Sequence, residues 1–142
     1  MNSEAIFQAA FALVSSLSGF NTKSRRLVHF SEVDRANQPA LFVNQKNRTA
    51  TFATNMPTRW TLHLDVYIYA TTHGNDPAAT PSSVLNPLID SVVSAFMPPD
   101  GIEQTLGGLC ARCRVDGSIE TDEGVFGDQG IAIIPITIYL AV

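Results

Sequence analysis

Residues 59–69 read RWTLHLDVYIY, and this stretch decides the fold of the chain. Apolar side chains share one parity along it and polar or amphiphilic ones share the other, as in a β-strand with one buried face. At about 3.3 Å per residue the strand would run roughly 36 Å and would need long neighbours for its backbone groups. We expect the C-terminal region to supply two of them. The apolar parity consists of Trp60, Leu62, Leu64, Val66 and Ile68.

Two helical patterns flank the long strand. The first, within residues 3–17, carries an apolar stripe at helical spacing, and Phe7 and Phe11 add a second stripe beside it. A helix that is apolar on two sides is covered on both, by the sheet and a loop or by the sheet and another subunit. The second helix is predicted to start near Ser82 or Ser83, with Pro87 in or just past its first turn.

Shorter strands are predicted before the long one. Residues 25–30 and 39–43 are each expected to form a short strand, because apolar residues there are bounded by polar stretches. Residues 31–38 and 44–48 are expected to be polar loops. A further strand is expected to begin within residues 49–53.

A long hairpin is predicted at the C-terminus. Its first strand starts near Leu109, and its last strand, residues 131–142, is apolar at nearly every position and is expected to be central. Pro135 lacks a ladder donor and therefore implies a bulge or an edge segment. Residues 121–130 are expected to form an acidic, mobile tip between the strands. The acidic residues of this tip are Asp122, Glu123 and Asp128.

The order of these elements predicts the fold class. A length of 142 residues indicates one domain spanning residues 1–142. The order helix, strands, long strand, helix, hairpin predicts an α+β domain with a mainly antiparallel sheet of about four to five strands. Two helices are expected to pack on one face of this sheet, with the long β-hairpin at the C-terminus. Trp60 and Ile136 are both expected to be core residues.

Charge is unevenly distributed along the chain. Residues 1–60 carry seven basic and three acidic groups, net +4, whereas residues 61–142 carry two basic and ten acidic groups, net −8. Such asymmetry fits head-to-tail association of like subunits, and it also fits two solvated surfaces that differ in sign. Charged residues make up 15% of the chain, below the typical ~25%, which is consistent with a surface partly covered by partners.

The N-terminal sequence bears on localisation. The first 22 residues contain no Lys or Arg, and Glu4 stands where a secretory signal would carry positive charge. The apolar run at 5–17 is shorter than the ~20 residues that span a bilayer. We therefore expect a protein made and kept in a cytoplasm, without a membrane partner.

No catalytic, metal-binding or cofactor-binding set stands out. Cys110 and Cys113 form C-x-x-C at a strand start, not at the helix N-terminus that redox chemistry uses, and are interpreted as reduced, partly buried thiols. His63 and Asp65 share one face of the long strand, as a base and its orienting carboxylate would, but a polar pair two residues apart is common on exposed strands. We expect no enzymatic activity, no metal and no cofactor.

Four side chains are candidates for contacts with other subunits or partners, besides Phe7 and Phe11. Arg25 and Arg26 flank a predicted strand or join a subunit contact, and with a pI near 5.2 they fall short of a nucleic-acid footprint. Tyr67 and Tyr69 lie on the amphiphilic face of the long strand, where aromatic residues beside polar groups form either an interface or plain surface.

Four stretches, taken in order, resemble the tail terminator proteins of long-tailed bacteriophages, the family of minor tail protein U. They are PALFV at 39–43, the long strand at 60–69, NPLID at 86–90, and QTLGGL at 104–109 leading into the C-terminal strands. The resemblance covers nearly the whole chain.

The resemblance implies a non-enzymatic α+β protein that forms a ring, expected to be a hexamer. The ring would cap the tail tube, end its polymerisation and offer a surface to the head completion protein. DNA would pass through the ring without specific binding, along an acidic lining for which Asp122, Glu123 and Asp128 are candidates. The protein would be part of the virion tail and be assembled in the host cytoplasm.

Two alternative functions remain open. One is another connector component, a head–tail joining or tail completion protein. The other is a small enzyme or ligand-binding domain that uses His63, Asp65 and the Tyr67/Tyr69 face, and it predicts a concave pocket over that face.

Overall fold

The computed structural model of the chain describes residues 1–72 and 78–140, apart from the side chains of residues 124–126. It contains two helices, six strands and two short 3₁₀ helices, Phe30–Glu32 and Arg35–Asn37. The helices are α1, Ser3–Ser15, and α2, Pro81–Phe96. The strands are β1, Thr22–Ser24; β2, Ala40–Thr51; β3, Arg59–Thr71; β4, Arg112–Val115; β5, Glu120–Phe126; and β6, Gln129–Tyr139.

The strands form one sheet around β3. The order is β1-β2-β3-β6-β4, with β5 also paired to β6, and every pairing is antiparallel except β1 with β2. The predicted α+β class, the mainly antiparallel sheet and the C-terminal hairpin are thereby confirmed. The neighbours of β3 are β2 and β6, so the C-terminal region supplies one neighbour and not two.

The main core lies between the sheet and the helices. Both helices pack on the same sheet face, as predicted, and cover the apolar parity of β3 together with one parity of β6. The side chains at the centre of this core are almost fully inaccessible to solvent. They include Val14, Leu62, Val66, Leu85, Val92, Ile134 and Ile138.

The other face of the sheet is covered at one end only. The predicted strand at 25–30 is wrong, since the edge strand is β1 and the chain then turns across this face. Here Leu27, Val28 and Phe30 pack against a small cluster around Phe42 and Tyr69. The apolar residues that predicted a strand form a lid on the sheet instead.

The predicted loop at 44–48 is also wrong, because β2 runs without interruption to Thr51. Its polar residues pair with β3, from Asn44 opposite Asp65 to Thr51 opposite Arg59, with a bulge between Gln45 and Arg48. A polar composition suggested a loop, but backbone pairing with β3 keeps these residues in a strand while their side chains face solvent.

The predicted mobile acidic tip is wrong as well. Most of it is β5, whose Asp122 lies opposite Ile131 of β6. β6 is shorter than predicted and starts earlier, and residues 141–142 of the predicted strand lie outside the described residues. The acidic and glycine residues suggested a loop. A strand tolerates them here because the carboxylates of β5 are solvated or hydrogen-bonded.

Pro135 occupies an edge segment, as one of the two predicted possibilities. Its carbonyl accepts a hydrogen bond of 3.1 Å from the N–H of Asp116, where the chain has just left β4. The N–H and C=O of one strand residue point to the same side, so the missing donor also faces this junction and not β3. The proline therefore removes no hydrogen bond from the β3–β6 ladder.

Two further details differ from the sequence prediction. α2 begins at Pro81, slightly before the predicted start, and Pro87 lies in its second turn, just past the first as predicted. Trp60 points to the same face of β3 as the buried apolar residues but is 37% exposed, because β3 extends beyond the part of the sheet that the helices cover. Ile136 is a core residue at 1% exposed, as predicted.

Candidate assembly surfaces

Two of the predicted interface aromatics are buried within the chain itself. Phe7 is 1% exposed in the core, and Tyr69 is 5% exposed with its hydroxyl donating a hydrogen bond of 2.8 Å to the carbonyl of Val28. Burial also raises the pKa of Tyr69. Neither side chain is available to another subunit, so both leave the candidate interface. Phe11 and Tyr67 are half-buried and remain available.

The two candidate arginines have different surroundings. Arg25 forms an ion pair of 2.5 Å with Glu4, which ties the chain after β1 to the first turn of α1. This hydrogen-bonded guanidinium lowers the pKa of Glu4. Arg26 is exposed. Arg25 is therefore engaged within the chain, and Arg26 offers its charge to solvent or to a partner.

The three predicted channel acids do not share one loop. The Glu123 carboxylate accepts a hydrogen bond from the N–H of Ser82, and Asp128 forms an ion pair of 2.5 Å with Arg35. Asp122 lies on the sheet face away from the helices, next to Ile131 of β6. Two of the three acids therefore stabilise contacts within the chain.

His63 and Asp65 are not arranged as a base and its orienting carboxylate. The His63 ring lies within 3.3 Å of the hydroxyls of Thr49 and Thr137, on the two neighbouring strands. Asp65 is 7% exposed and forms an ion pair of 3.3 Å with Lys46. The two cavities of about 560 Å³ and 450 Å³ on this sheet are lined by other residues. His63 is therefore engaged by the two threonines and Asp65 by the lysine.

The cysteines are free and buried. Burial raises the pKa of the Cys110 thiol to about 11. Burial, and to a smaller extent the nearby Cys110, also raises the pKa of the Cys113 thiol. Thiolates are the nucleophiles and metal ligands of cysteine chemistry, so both side chains are inert near neutral pH. Within residues 1–72 and 78–140, no group of three His, Cys, Asp or Glu side chains is placed to hold a metal ion.

The most distinctive surface is the outer half of β2 with the turn after it and the start of β3, residues 45–60, which we call the β2–β3 arm; its tip extends past the end of β6. Every residue of this arm is exposed, on both faces of the sheet. Beyond Phe42, β2 has no neighbour on its outer side among the described residues, since β1 stops there. At the tip of the arm, Phe52 is 75% exposed and Met56 is 52% exposed.

The β2–β3 arm is also basic. It carries Lys46, Arg48 and Arg59 and no acidic residue. Lys46 is engaged by Asp65 at the base of the arm, whereas the side chains of Arg48 and Arg59 stand on opposite faces of it. The residue pattern did not predict this surface. The sequence does hold one signal for it: three basic residues and no acidic residue surround an isolated phenylalanine.

Two grooves lie on the sheet away from the main core. The β5–β6 groove, of about 450 Å³, is lined by Glu120, Thr121, Asp122, Ile131 and Ile133. The second, at the base of the arm, has about 560 Å³ and includes Arg59, Trp60, Glu103 and Arg112 in its lining. The first groove is acidic at its rim and apolar at its floor, and the second carries charges of both signs.

No family model matches the chain, and neither does any curated protein. Among solved structures, a chain of a structure described as "Virion of native gene transfer agent (GTA) particle" matches with a TM-score of 0.48 and 11% identity. The match covers 97% of this chain and 92% of that chain. At this identity and TM-score the likeness assigns no function to the present chain. None of the helices among the described residues has both the length and the apolar character to cross a membrane.

Proposed function

We propose that the chain is a structural protein of a phage-like virion, acting as a tail terminator. In this role copies of the chain form a ring, with six as the expected number, that caps the tail tube and ends its polymerisation. The ring then offers a surface to the head completion protein. The proposal starts from the sequence resemblance, which covers nearly the whole chain, and depends on the surfaces described above.

The β2–β3 arm is the observation that carries the proposal. A two-stranded ribbon gains little stability by itself in water, and its open edge and exposed aromatic tip invite association. Phe52 at 75% exposed and Met56 at 52% have no role in the core of the monomer. Such an arm is expected in a protein whose partners cover it.

The charge distribution supports contacts between unlike surfaces. The arm belongs to the basic half of the chain, whereas β5 and the segments around it belong to the acidic half. Heterologous contacts that join a basic patch to an acidic one close into rings when the rotation between subunits allows it. This is the kind of assembly that a tail terminator requires.

The candidate contact residues are fewer than the sequence alone predicted. Arg26, Phe11 and Tyr67 remain accessible for contacts with subunits or with the tail tube protein. Of the three acids, Asp122 is the best candidate to face a channel or a partner, because Glu123 and Asp128 are engaged within the chain. We further propose that DNA passes through the ring without specific binding and that assembly takes place in the host cytoplasm.

Tube polymerisation tests this function. Tail tube protein encoded in the same genome is polymerised with and without the purified chain, and tube lengths are measured by negative-stain microscopy. The proposal predicts tubes that are capped at one end and become shorter as more of the chain is added. Unchanged tube lengths, or binding to heads and not to tube ends, would overturn it, and the second result would favour a head–tail joining protein.

A further inference from the structure

The two most unusual surfaces of the chain are complementary to each other. The β2–β3 arm is basic with an apolar tip, and the β5–β6 groove is apolar with an acidic rim. In the groove Ile131 and Ile133 are half-buried, and Glu120 and Asp122 stand beside them on the neighbouring strand in direct register. The basic charge of the arm therefore matches the acidic rim of the groove, and its apolar tip matches the apolar floor.

The arm cannot reach the groove of its own chain. The groove lies beside the end of β3 that holds Tyr67 and Tyr69, since these residues pair with Ile133 and Ile131. The arm leaves the opposite end of β3, at Trp60. Seven strand residues separate the two ends by about 23 Å, and the tip points further away. Any contact between arm and groove therefore joins two copies.

We propose that the β2–β3 arm of one copy docks in the β5–β6 groove of the next, with Phe52 on the Ile131/Ile133 floor. In this arrangement the basic arm meets the acidic rim formed by Glu120 and Asp122. The proposal rests on the ring assembly proposed above and names the contact that builds it. Because arm and groove are different patches, the contact is heterologous and propagates around a closed ring.

The size of the groove agrees with this occupant. A volume of about 450 Å³ lies within the usual ~300–1,000 Å³ of pockets that take small ligands, so it admits one aromatic side chain with part of its neighbour. A large aromatic anchor in such a pocket is the usual centre of an interface. Phe52 is the most exposed large apolar side chain of the described chain and fits that role.

The second groove is a poorer acceptor. Arg59 and Arg112 line it, and Arg112 stacks over the ring of Tyr139 at 4.7 Å. A basic arm would meet like charge there, which opposes docking. Charge therefore selects the β5–β6 groove between two cavities of similar size.

Charge reversal on each side tests the proposal by concentration-dependent sedimentation. The groove variant Glu120→Lys with Asp122→Lys, and the arm variant Arg48→Glu with Arg59→Glu, should each weaken self-association on the order of tenfold or more. The chain that combines all four changes should regain association, because its reversed arm meets a reversed groove. Glu103→Lys, the same change in the second groove, should leave association intact. Thermal melts check that each variant folds.

The outcomes distinguish failure of the arm–groove contact from failure of the proposed function. If the wild type assembles and the groove variant assembles equally well, or if the combined variant does not recover, this contact is overturned and the ring stands. If the wild type stays monomeric both alone and with tail tubes, the proposed function fails, and the contact fails with it.

Discussion

The Glu123 carboxylate accepts a hydrogen bond of 2.9 Å from the backbone N–H of Ser82, in the first turn of α2. A negative charge at this end of a helix also interacts favourably with the helix dipole. The acidic residue that sequence reasoning placed in a mobile tip thus joins the C-terminal hairpin to the second helix.

This contact predicts a pH-dependent contribution of Glu123 to stability. Hydrogen bonds from the hydroxyl and the N–H of Ser82 lower the pKa of Glu123 from its ordinary 4.5. A lowered folded-state pKa means that the contribution is present above about pH 4.5 and is lost as the pH falls through the folded-state value. Wild type should therefore melt higher than Glu123→Gln at pH 7, and the difference should vanish in acid.

Asp122→Asn is the matched control for that experiment, because it neutralises the adjacent carboxylate on the opposite face of β5. At a protein concentration too low for self-association, its melting temperature should follow that of wild type from pH 7 into acid. Equal pH profiles for Glu123→Gln and wild type would show that the carboxylate does not support α2.

Close packing at Gly130 gives a second prediction. A Cβ added there would lie 2.7 Å from Cδ1 of Leu85 and 2.8 Å from Cβ of Pro81, at the start of α2. Gly130→Ala should therefore destabilise the fold by about 1–3 kcal/mol, as overpacking does. Combined with Leu85→Ala in a double-mutant cycle, the cost should be smaller than the sum of the two single changes, because the deletion makes room. Chemical denaturation measures both, and additive costs would contradict the close approach.

Two apolar residues of the sheet should differ sharply in their contribution to stability. Ile136 is 1% exposed, so Ile136→Ala should cost about 2–5 kcal/mol of unfolding free energy through lost burial and a cavity. Trp60 is 37% exposed, so Trp60→Ala should cost about 1 kcal/mol or less. The sequence pattern predicted both as core truncations. Equal, large losses in denaturant titrations would show that Trp60 is covered in the monomer.

The buried thiols predict slow alkylation of the folded protein. At pH 8 few Cys110 thiols are ionised, since burial raises the pKa to about 11, and Cys113 is fully buried with its pKa raised as well. Iodoacetamide should modify neither residue at the rate of an exposed cysteine, and both should react rapidly in denaturant. Mass spectrometry counts the labels. Rapid labelling of the folded chain would contradict the burial of these two thiols.

The fold could be predicted where side-chain pattern and burial agree. β3 alternates strictly and pairs on both sides, and α2 keeps its apolar spacing against the sheet, so both were recognisable. The outer half of β2 and the whole of β5 are held by backbone pairing while their polar side chains face outward. The composition of such segments predicts loops, because backbone pairing keeps them extended without requiring apolar residues in the sequence.

The candidate site was harder to predict for a related reason. Phe7 and Tyr69 look like surface aromatics in the sequence, yet a helix packed on a sheet and a lid over the other face bury them. Phe52, the most exposed large apolar side chain among the described residues, stands alone in a polar stretch and carries no periodic signal. Whether an aromatic side chain is covered depends on segments that are distant in the chain, so its exposure cannot be read from neighbours in sequence.

The native mass of the purified protein tests the central claim most directly, measured for the wild type, Phe52→Asp and the control Ile102→Asp, which places the same charge at an exposed site outside the arm. We predict that the wild type and Ile102→Asp form closed oligomers whose mass is a whole multiple of the 15.3 kDa chain, and that Phe52→Asp is a folded monomer with the circular dichroism spectrum of the wild type. Oligomers of equal mass for all three proteins would show that the arm does not build the assembly. A wild type that is monomeric both alone and with tail tubes would contradict the ring itself.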